Sequence, residues 1–342
     1  MYQKVYDFSN LYNAYLESRK GKRWKGATVR FERQALFYID HLSKTLEDKT
    51  YRLGRYNVFE VYEPKRRVIK SIPFKDKVVQ RSLCDNVIEP LLEPHFIYDN
   101  YASRKGKGKH KAIDRTSEFL RDHYRRYGRE GYILKCDVEK FFDSIDHDIL
   151  KRELRKRIHD EDVLWLVDMI IDSTPSPGLP IGNQTSQLFS IYYLSSLDHF
   201  IKEKLRIKHY LRYMDDFILI DPDKEYLQYC KKQIELFLGD LKLELNHKSH
   251  IFPIKNGVDF LGFHFYVTDT GKVIRKLRRA SKEKRRRVLR HFKYLYRNGQ
   301  VDKRKIDQSW ASWLGHASHG NTYYLIKGMT RYYDDIYEEE KK

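Results

Sequence analysis

Two adjacent aspartates close the tetrapeptide Tyr213-Met214-Asp215-Asp216, which is set between two apolar runs. Neighbouring carboxylates repel: two unit charges ~4 Å apart cost about 4 kcal/mol at an effective dielectric near 20. Presenting them together at a strand-to-strand turn makes sense if a divalent cation sits against them. A third carboxylate arriving from elsewhere would complete a site for the metal pair that drives phosphoryl transfer. Asp137 is the candidate, at the C-terminal end of an alternating segment in which Tyr132, Leu134 and Cys136 face one way and Ile133, Lys135 and Asp137 the other. Such hard oxygen ligands suit Mg²⁺, each ion keeping water and substrate phosphate oxygens. An isolated Asp-Asp pair is usually a solvated turn. Here Leu211, Tyr213, Phe217, Leu219 and Ile220 flank it with apolar surface, which favours the metal site.

Three carboxylates from two distant strands converge only if those strands are neighbours in a sheet, so residues 131–138 and the hairpin 209–220 should pair. Around them the pattern alternates between strand and helix. A helical pattern runs over 31–46, and extended segments at 56–62 and 68–72 are joined by the basic turn Glu63-Pro64-Lys65-Arg66-Arg67, a plausible hairpin. Helical spacing returns over 76–92, 148–157, 163–171, 184–204 (as one long helix) and 224–241. Short strands are expected near 243–245 and 260–267, and a basic helix from 272 to 296. No repeat or low-complexity linker divides the chain. Mixed helices and antiparallel strands make this an α+β protein with interlocked subdomains.

The balance of 67 Lys+Arg against 48 Asp+Glu, a net +19, calls for a polyanionic partner bound in a salt-dependent way. The charge is uneven: residues 272–305 hold sixteen Lys/Arg, among them Arg278, Arg279, Arg285, Arg286 and Arg287, against Glu283 and Asp302. Interleaved aromatics, Tyr above all, suit phosphates and bases together. The loop of Arg104, Lys105, Lys107 and Lys109 lacks the residue order of a P-loop, so it reads as a cationic strand grip and not an NTPase site. Cys84, Cys136 and Cys230 include no CxxC pair, which argues against zinc and for free thiols in a reducing compartment. With no apolar leader and no stretch of spanning length, a cytoplasmic protein without membrane contact is expected.

At this point the chain resembles the reverse transcriptase family. Tyr213-Met214-Asp215-Asp216 is similar to its YxDD motif, and Asp137-Val138-Glu139-Lys140-Phe141-Phe142-Asp143 to the motif with its first metal aspartate. The resemblance implies a right-hand polymerase fold, with fingers over 1–130, palm over 131–268 (a fingers segment interleaved near 150–178) and a helical thumb over 269–342. It implies two Mg²⁺, with Mn²⁺ able to substitute, at Asp137, Val138, Asp215 and Asp216. Phe142 would lie under the incoming sugar and exclude a 2′-hydroxyl. Lys65 and Arg67 would hold the triphosphate, and Lys248 would protonate pyrophosphate. Phe260-Leu261-Gly262-Phe263 is similar to the primer grip, and Ser309 to Ala317 to the thumb of retroelement enzymes.

The segment Gly178 to Gln187 resembles the motif that packs against the template-nucleotide pair, with Gly182 allowing close backbone approach. Ile181 stands where most of the family carries Gln, and Gln187 where most carries Pro. In both departures the chain resembles the reverse transcriptases of diversity-generating retroelements. That implies a prokaryotic or phage-encoded enzyme that copies a template RNA into error-prone cDNA from dNTPs, holding an RNA/cDNA duplex. It also implies a small, basic, oligomeric accessory protein as partner. No RNase H, endonuclease or long maturase segment is recognisable. A group II-like or phage-defence reverse transcriptase, and a non-catalytic RNA-binding protein on the same fold, are the competing expectations.

Overall fold

The computed structural model describes residues 1–62 and 66–338; Lys65 lies outside the described residues. The chain opens with the helices Gln3–Tyr6 and Phe8–Arg19, which the sequence pattern did not announce, followed by Gly26–Arg33 and Ala35–Glu47, between which the single helix expected over 31–46 is divided. The Asp7 side chain caps the second by accepting from the Asn10 amide at 3.0 Å. Leu11, Tyr15, Phe31 and Leu42 are buried against Phe74, Val78 and Val79 of the Phe74–Leu83 helix. The rings of Tyr15 and Phe74 each lie within 5.5 Å of Phe31. Between these helical pieces β1 (Asn57–Val61) and β2 (Arg67–Ser71) form an antiparallel hairpin, Val61 opposite Arg67.

The central sheet contains β3 (Tyr132–Asp137), β4 (His209–Tyr213), β5 (Asp216–Asp221) and β6 (His250–Pro253), all antiparallel in the order β4-β5-β3-β6. Its two faces enter different cores. Leu134, Cys136, Phe217 and Leu219 join the large core with Leu227, Cys230 and Ile234 of the Lys224–Asp240 helix. Ile133, Ile218 and Ile220 join a second core with Phe119 and Leu120 of the Lys109–Tyr127 helix. Period-2 alternation therefore puts Lys135 and Asp137, with Asp216 opposite, on the second face.

A second antiparallel sheet, β7 (Val258–Phe260), β8 (Phe263–Val267) and β9 (Val273–Leu277), closes the second core. Three helices follow, Arg279–Arg297, Lys303–Ala317 and Tyr323–Asp334, around a small core of Leu289, Ile306, Trp310, Met329 and Ile336. The expected helix from residue 272 is corrected: the β-branched Val273-Ile274 pair begins a strand against β8, and helix starts only at Arg279. The expected helix over 184–204 breaks at Leu194 (φ −91°, ψ 4°) into Gln184–Tyr193, Ser195–His199 and a π-turn. The expected strand at 243–245 shrinks to a single bridge between Leu245 and Val138, and β6 supplies the fourth strand instead. The α+β class stands, and the subdomains interlock as a right-hand polymerase fold.

Candidate active site

Asp137 and Asp216 are direct cross-strand partners, so their side chains leave the same face of the β3–β5 pair. Asp215 sits in the two-residue turn between β4 and β5, beside Met214, whose φ of +59° places it in the left-handed region. Strained backbone of this kind persists where its surroundings hold it. Here the Val138 amide donates to the Asp215 carbonyl at 3.3 Å, and the Arg212 guanidinium donates to the Met214 carbonyl at 2.9 Å. The three aspartates thus lie on adjoining strand ends, within electrostatic reach of one another.

The electrostatics describe a site short of positive charge. Burial pushes Asp216 up to about 7; Lys135 opposes the shift, while Asp137 and Asp215 add to it. Burial and Asp137 likewise raise Asp215, against the pull of Arg67. Asp216 Oδ1 is buried without a hydrogen bond, with the Lys135 ammonium at ion-pair distance, 3.5 Å. Hard oxygens, an orphaned carboxylate atom and mutual repulsion fit a divalent cation. Among the described residues no three acidic, His or Cys side chains enclose an ion alone, so bound ions would need further oxygens from substrate. Val138 is buried, and its only possible ligand atom is the backbone carbonyl.

Three other segments fold onto this centre. The loop 246–249 is fastened along β3: the Asn246 amide donates to the Asp137 carbonyl at 2.7 Å and the Asp137 amide to Ser249 Oγ at 3.2 Å. That leaves Lys248 exposed on the Asp137 strand end. Phe141 is buried, whereas Phe142 is half-buried and its carbonyl accepts from the Leu179 amide at 2.8 Å. The loop around Ile181 closes on the hairpin: the Ile181 carbonyl accepts from the Lys70 amide at 3.3 Å. Gly182, at φ +125°, holds a backbone conformation that side chains rarely adopt, whereas a Cβ there would only make ordinary contact with the Lys70 carbonyl at 3.4 Å. Arg67 begins β2 and is exposed. Gln187 is exposed on the next helix and accepts from Ser103 Oγ at 3.4 Å.

The candidate primer grip is a tight turn between β7 and β8, with both Leu261 (φ +48°) and Gly262 (φ +88°) left-handed. Phe260 belongs to the second core, so its ring is structural. The cationic assignments divide. Arg104 is corrected: its guanidinium is buried, forked onto Glu93 and donating to the carbonyls of Ile97 and Asn100 at 2.7 and 2.8 Å. It staples its own loop and has no fork left for phosphate. Lys107 donates to the Tyr98 carbonyl and caps that ring. Lys105 is exposed beside Glu89. Lys109 starts its helix at the primer-grip turn, next to Gly262. Arg285 is also corrected: it is buried over Trp310, bonded to Ser309 Oγ at 3.0 Å, and burial pushes it down to about 10. Arg278 pairs with Asp259, Arg279 with Glu283, and Arg286 and Arg287 are exposed.

Sequence reasoning missed the pair beneath the turn. Arg212 and Asp198 are both fully buried, with Arg212 Nε on Asp198 Oδ1 at 2.7 Å and the Tyr210 hydroxyl on the same oxygen at 2.6 Å. Arg212 also donates to the Ile191 carbonyl at 3.0 Å. The one available signal was a charge in an otherwise apolar strand, His209-Tyr210-Leu211-Arg212-Tyr213. Lys135 was placed on the catalytic face, but its link from Asp216 to the Asp259 carbonyl (2.9 Å), on the primer-grip strand, was not foreseen.

The Asp137, Asp215 and Asp216 carboxylates gather at one end of an antiparallel sheet within a right-hand polymerase fold. The chain belongs to the reverse transcriptase family: the model for reverse transcriptase (RNA-dependent DNA polymerase) matches residues 62–265, more than half of it. It is similar to the Escherichia coli protein YkfC, 26% identical in an alignment of 231 residues that covers 55% of this chain and 60% of YkfC. It is also similar to a putative COX1/OXI3 intron 1 protein of Saccharomyces cerevisiae, 21% identical over 56% of this chain and 24% of that protein. The match thus spans less than two thirds of either relative. Among solved structures, telomerase from Candida albicans in complex with a fragment of telomeric RNA aligns over 89% of this chain and 65% of its own. At a TM-score of 0.51 and 12% identity, that likeness is one of fold. No helix among the described residues is long and apolar enough to cross a membrane.

Proposed function

We propose that the chain is a catalytic RNA-directed DNA polymerase that makes error-prone cDNA from the template RNA of a diversity-generating retroelement. One observation carries the catalytic part: Asp137 faces Asp216 across β3–β5 with Asp215 at the adjoining turn, and the three raise one another's need for a cation. A protein that only bound RNA would gain nothing from that repulsion. The Asp137, Asp215 and Asp216 carboxylates and the Val138 carbonyl would hold two Mg²⁺ or Mn²⁺. Such ions supply activation of a primer 3′-hydroxyl and neutralisation of the leaving pyrophosphate.

The chain's own residues do the positioning. Arg67 binds the triphosphate from the start of β2, and the family resemblance assigns Lys65 the same role. Phe142 sets the floor under the sugar, where a ring excludes a 2′-hydroxyl. Lys248 offers a proton to pyrophosphate, and the Leu261-Gly262 turn seats the primer. In this reading fingers, palm and thumb divide at about residues 130 and 268, and the partners are template RNA, the RNA/cDNA duplex, dNTPs and a basic accessory protein. The retroelement type rests on Ile181 and Gln187, where the chain departs from most of its family.

Primer extension on an RNA template with Mg²⁺ and dNTPs tests the reading. Wild type is expected to extend, and the Asp215→Ala/Asp216→Ala variant to lose synthesis while still binding template-primer. Extension that survives the double substitution refutes the site assignment.

A further inference from the structure

Lys135 joins the two antiparallel sheets beside the carboxylates. Period-2 alternation along β3 brings its side chain to the face that carries Asp137, two residues on. Ile218 of β5 and His250 of β6 are its cross-strand partners, which makes Asp216 a diagonal neighbour. An ammonium has three hydrogens to donate and no lone pair. Lys135 gives one to the Asp259 carbonyl of β7 at 2.9 Å, and its nitrogen lies 3.5 Å from Asp216 Oδ1. The Asp259 carboxylate is engaged elsewhere, by the His264 ring at 2.8 Å and Arg278 at 3.1 Å. His250 turns a ring nitrogen to the Lys248 carbonyl at 2.6 Å. The Leu261-Gly262 turn begins two residues after Asp259. One side chain thus reaches from a candidate metal carboxylate to the strand that enters the grip turn.

Asp216 Oδ1 is buried without a hydrogen bond, and the ammonium stands at ion-pair distance without bonding to it. An oxygen held this way has its charge countered while its lone pairs stay available to a cation. A divalent ion that took the oxygen would meet the ammonium as a like charge. The bond to β7 settles what the ammonium can do then: it can release Asp216 without losing its own backbone partner.

We propose that Lys135 is a positioning residue, a tethered cation that holds Asp216 in place, competes with the metal for Asp216 Oδ1, and ties that exchange to the strand leading into the grip turn. Its role toward the metal rests on the polymerase reading of the carboxylates and extends it to a residue outside the ligand set. Neutralising Lys135 should therefore strengthen metal binding and slow turnover, two effects of opposite sign that a loss of packing does not produce. A proton on Asp216 also gains when the ammonium is removed, but a divalent ion gains twice as much from the same change in potential.

Mn²⁺ alone is the probe, titrated into the full chain at pH 8 and followed by the electron spin resonance signal of the free ion. Lys135→Met, which keeps the aliphatic stem, should bind Mn²⁺ about tenfold tighter than wild type. Lys135→Arg, which keeps the charge, should stay within about twofold of wild type. Adding Asp216→Ala to Lys135→Met should remove the gain. In primer extension, Lys135→Met should reach half its maximal rate at about tenfold less Mg²⁺. Its maximal rate should be about tenfold lower, with template-primer affinity within about twofold of wild type. If Lys135→Met fails to fold, Lys135→Gln, which can still donate to a carbonyl, carries the same comparison. Equal Mn²⁺ affinity in wild type and Lys135→Met, binding by neither, or a gain that survives Asp216→Ala overturns the proposal. Tighter binding by Lys135→Met in a chain whose wild type extends no primer would uphold the tethered cation and refute the polymerase reading. Extension with the same Mg²⁺ requirement in both would do the reverse.

Discussion

Arg212 and Ile181 differ at the residue scale: one is held by its side chain, the other by its backbone. Arg212 fixes the carboxylate-bearing turn from below, through a buried ion pair that leaves both partners fully enclosed. Removing one member of such a pair strands the other charge, at a cost of ~3–5 kcal/mol. Arg212→Leu is therefore expected to lower the free energy of unfolding by that much, read as a lower urea midpoint at unchanged m. Asp198→Leu/Arg212→Leu should lose less than the single variant, because no charge is stranded. A double variant no more stable than Arg212→Leu would show that the pair does not act as a unit. In the proposed reading, Ile181 would work by omission. Its carbonyl is already held by the Lys70 amide, so its side chain can change while the loop stays in place. An amide here could hydrogen-bond near the nascent pair, a contact worth ~0.5–1.5 kcal/mol, whereas isoleucine only packs. Ile181→Gln should cut misincorporation opposite template adenine by up to about tenfold, read by sequencing the cDNA. An unchanged error spectrum sinks the idea.

At the scale of elements, legibility followed local periodicity. β3 and the β4–β5 hairpin were readable because apolar residues on both flanks of Asp215-Asp216 leave few options besides a buried hairpin, and the Asp137 strand alternates cleanly. β9 was not, since Arg275, Lys276, Arg278 and Arg279 make strand and helix look alike in a basic run; pairing with β8 decides it. The first two helices were hidden because their burial is set by the distant Phe74–Leu83 helix. The roles of Arg104 and Arg285 were obscured for a related reason: a basic run does not reveal which arginine turns inward. The Leu261-Gly262 turn was visible as a motif, but its closeness to the Lys303–Ala317 helix was not. A Cβ on Gly262 would come within 3.2 Å of the His316 ring, in addition to the strain of φ +88°. Gly262→Ala should cost ~1 kcal/mol or more and lower the melting temperature. Gly239→Ala, at a helical glycine with nothing within 4 Å, should instead hold or raise it. Equal effects at the two positions would show that the turn is not strained.

Across the whole molecule, the net charge of +19 is expressed through cations that remain free after the structure has used its own. The Arg279–Arg297 helix shows the division. Arg285 is turned into the small core over Trp310, whereas Arg286, Arg287 and Arg290 stay exposed. In the proposed reading, this helix with its exposed cations would follow a duplex leaving the active site. Each phosphate neutralised contributes a slope of about 0.9 to the dependence of log affinity on log salt for a duplex. Replacing Arg286, Arg287 and Arg290 with Gln should thus flatten the slope for an RNA/DNA duplex by about 2 to 3. Arg285→Gln should leave the slope where it is and act on the melting temperature instead, since its guanidinium has no free path to a phosphate. Should the triple variant keep the wild-type slope, the helix faces a protein partner, and the basic surface that holds the duplex lies elsewhere on the chain.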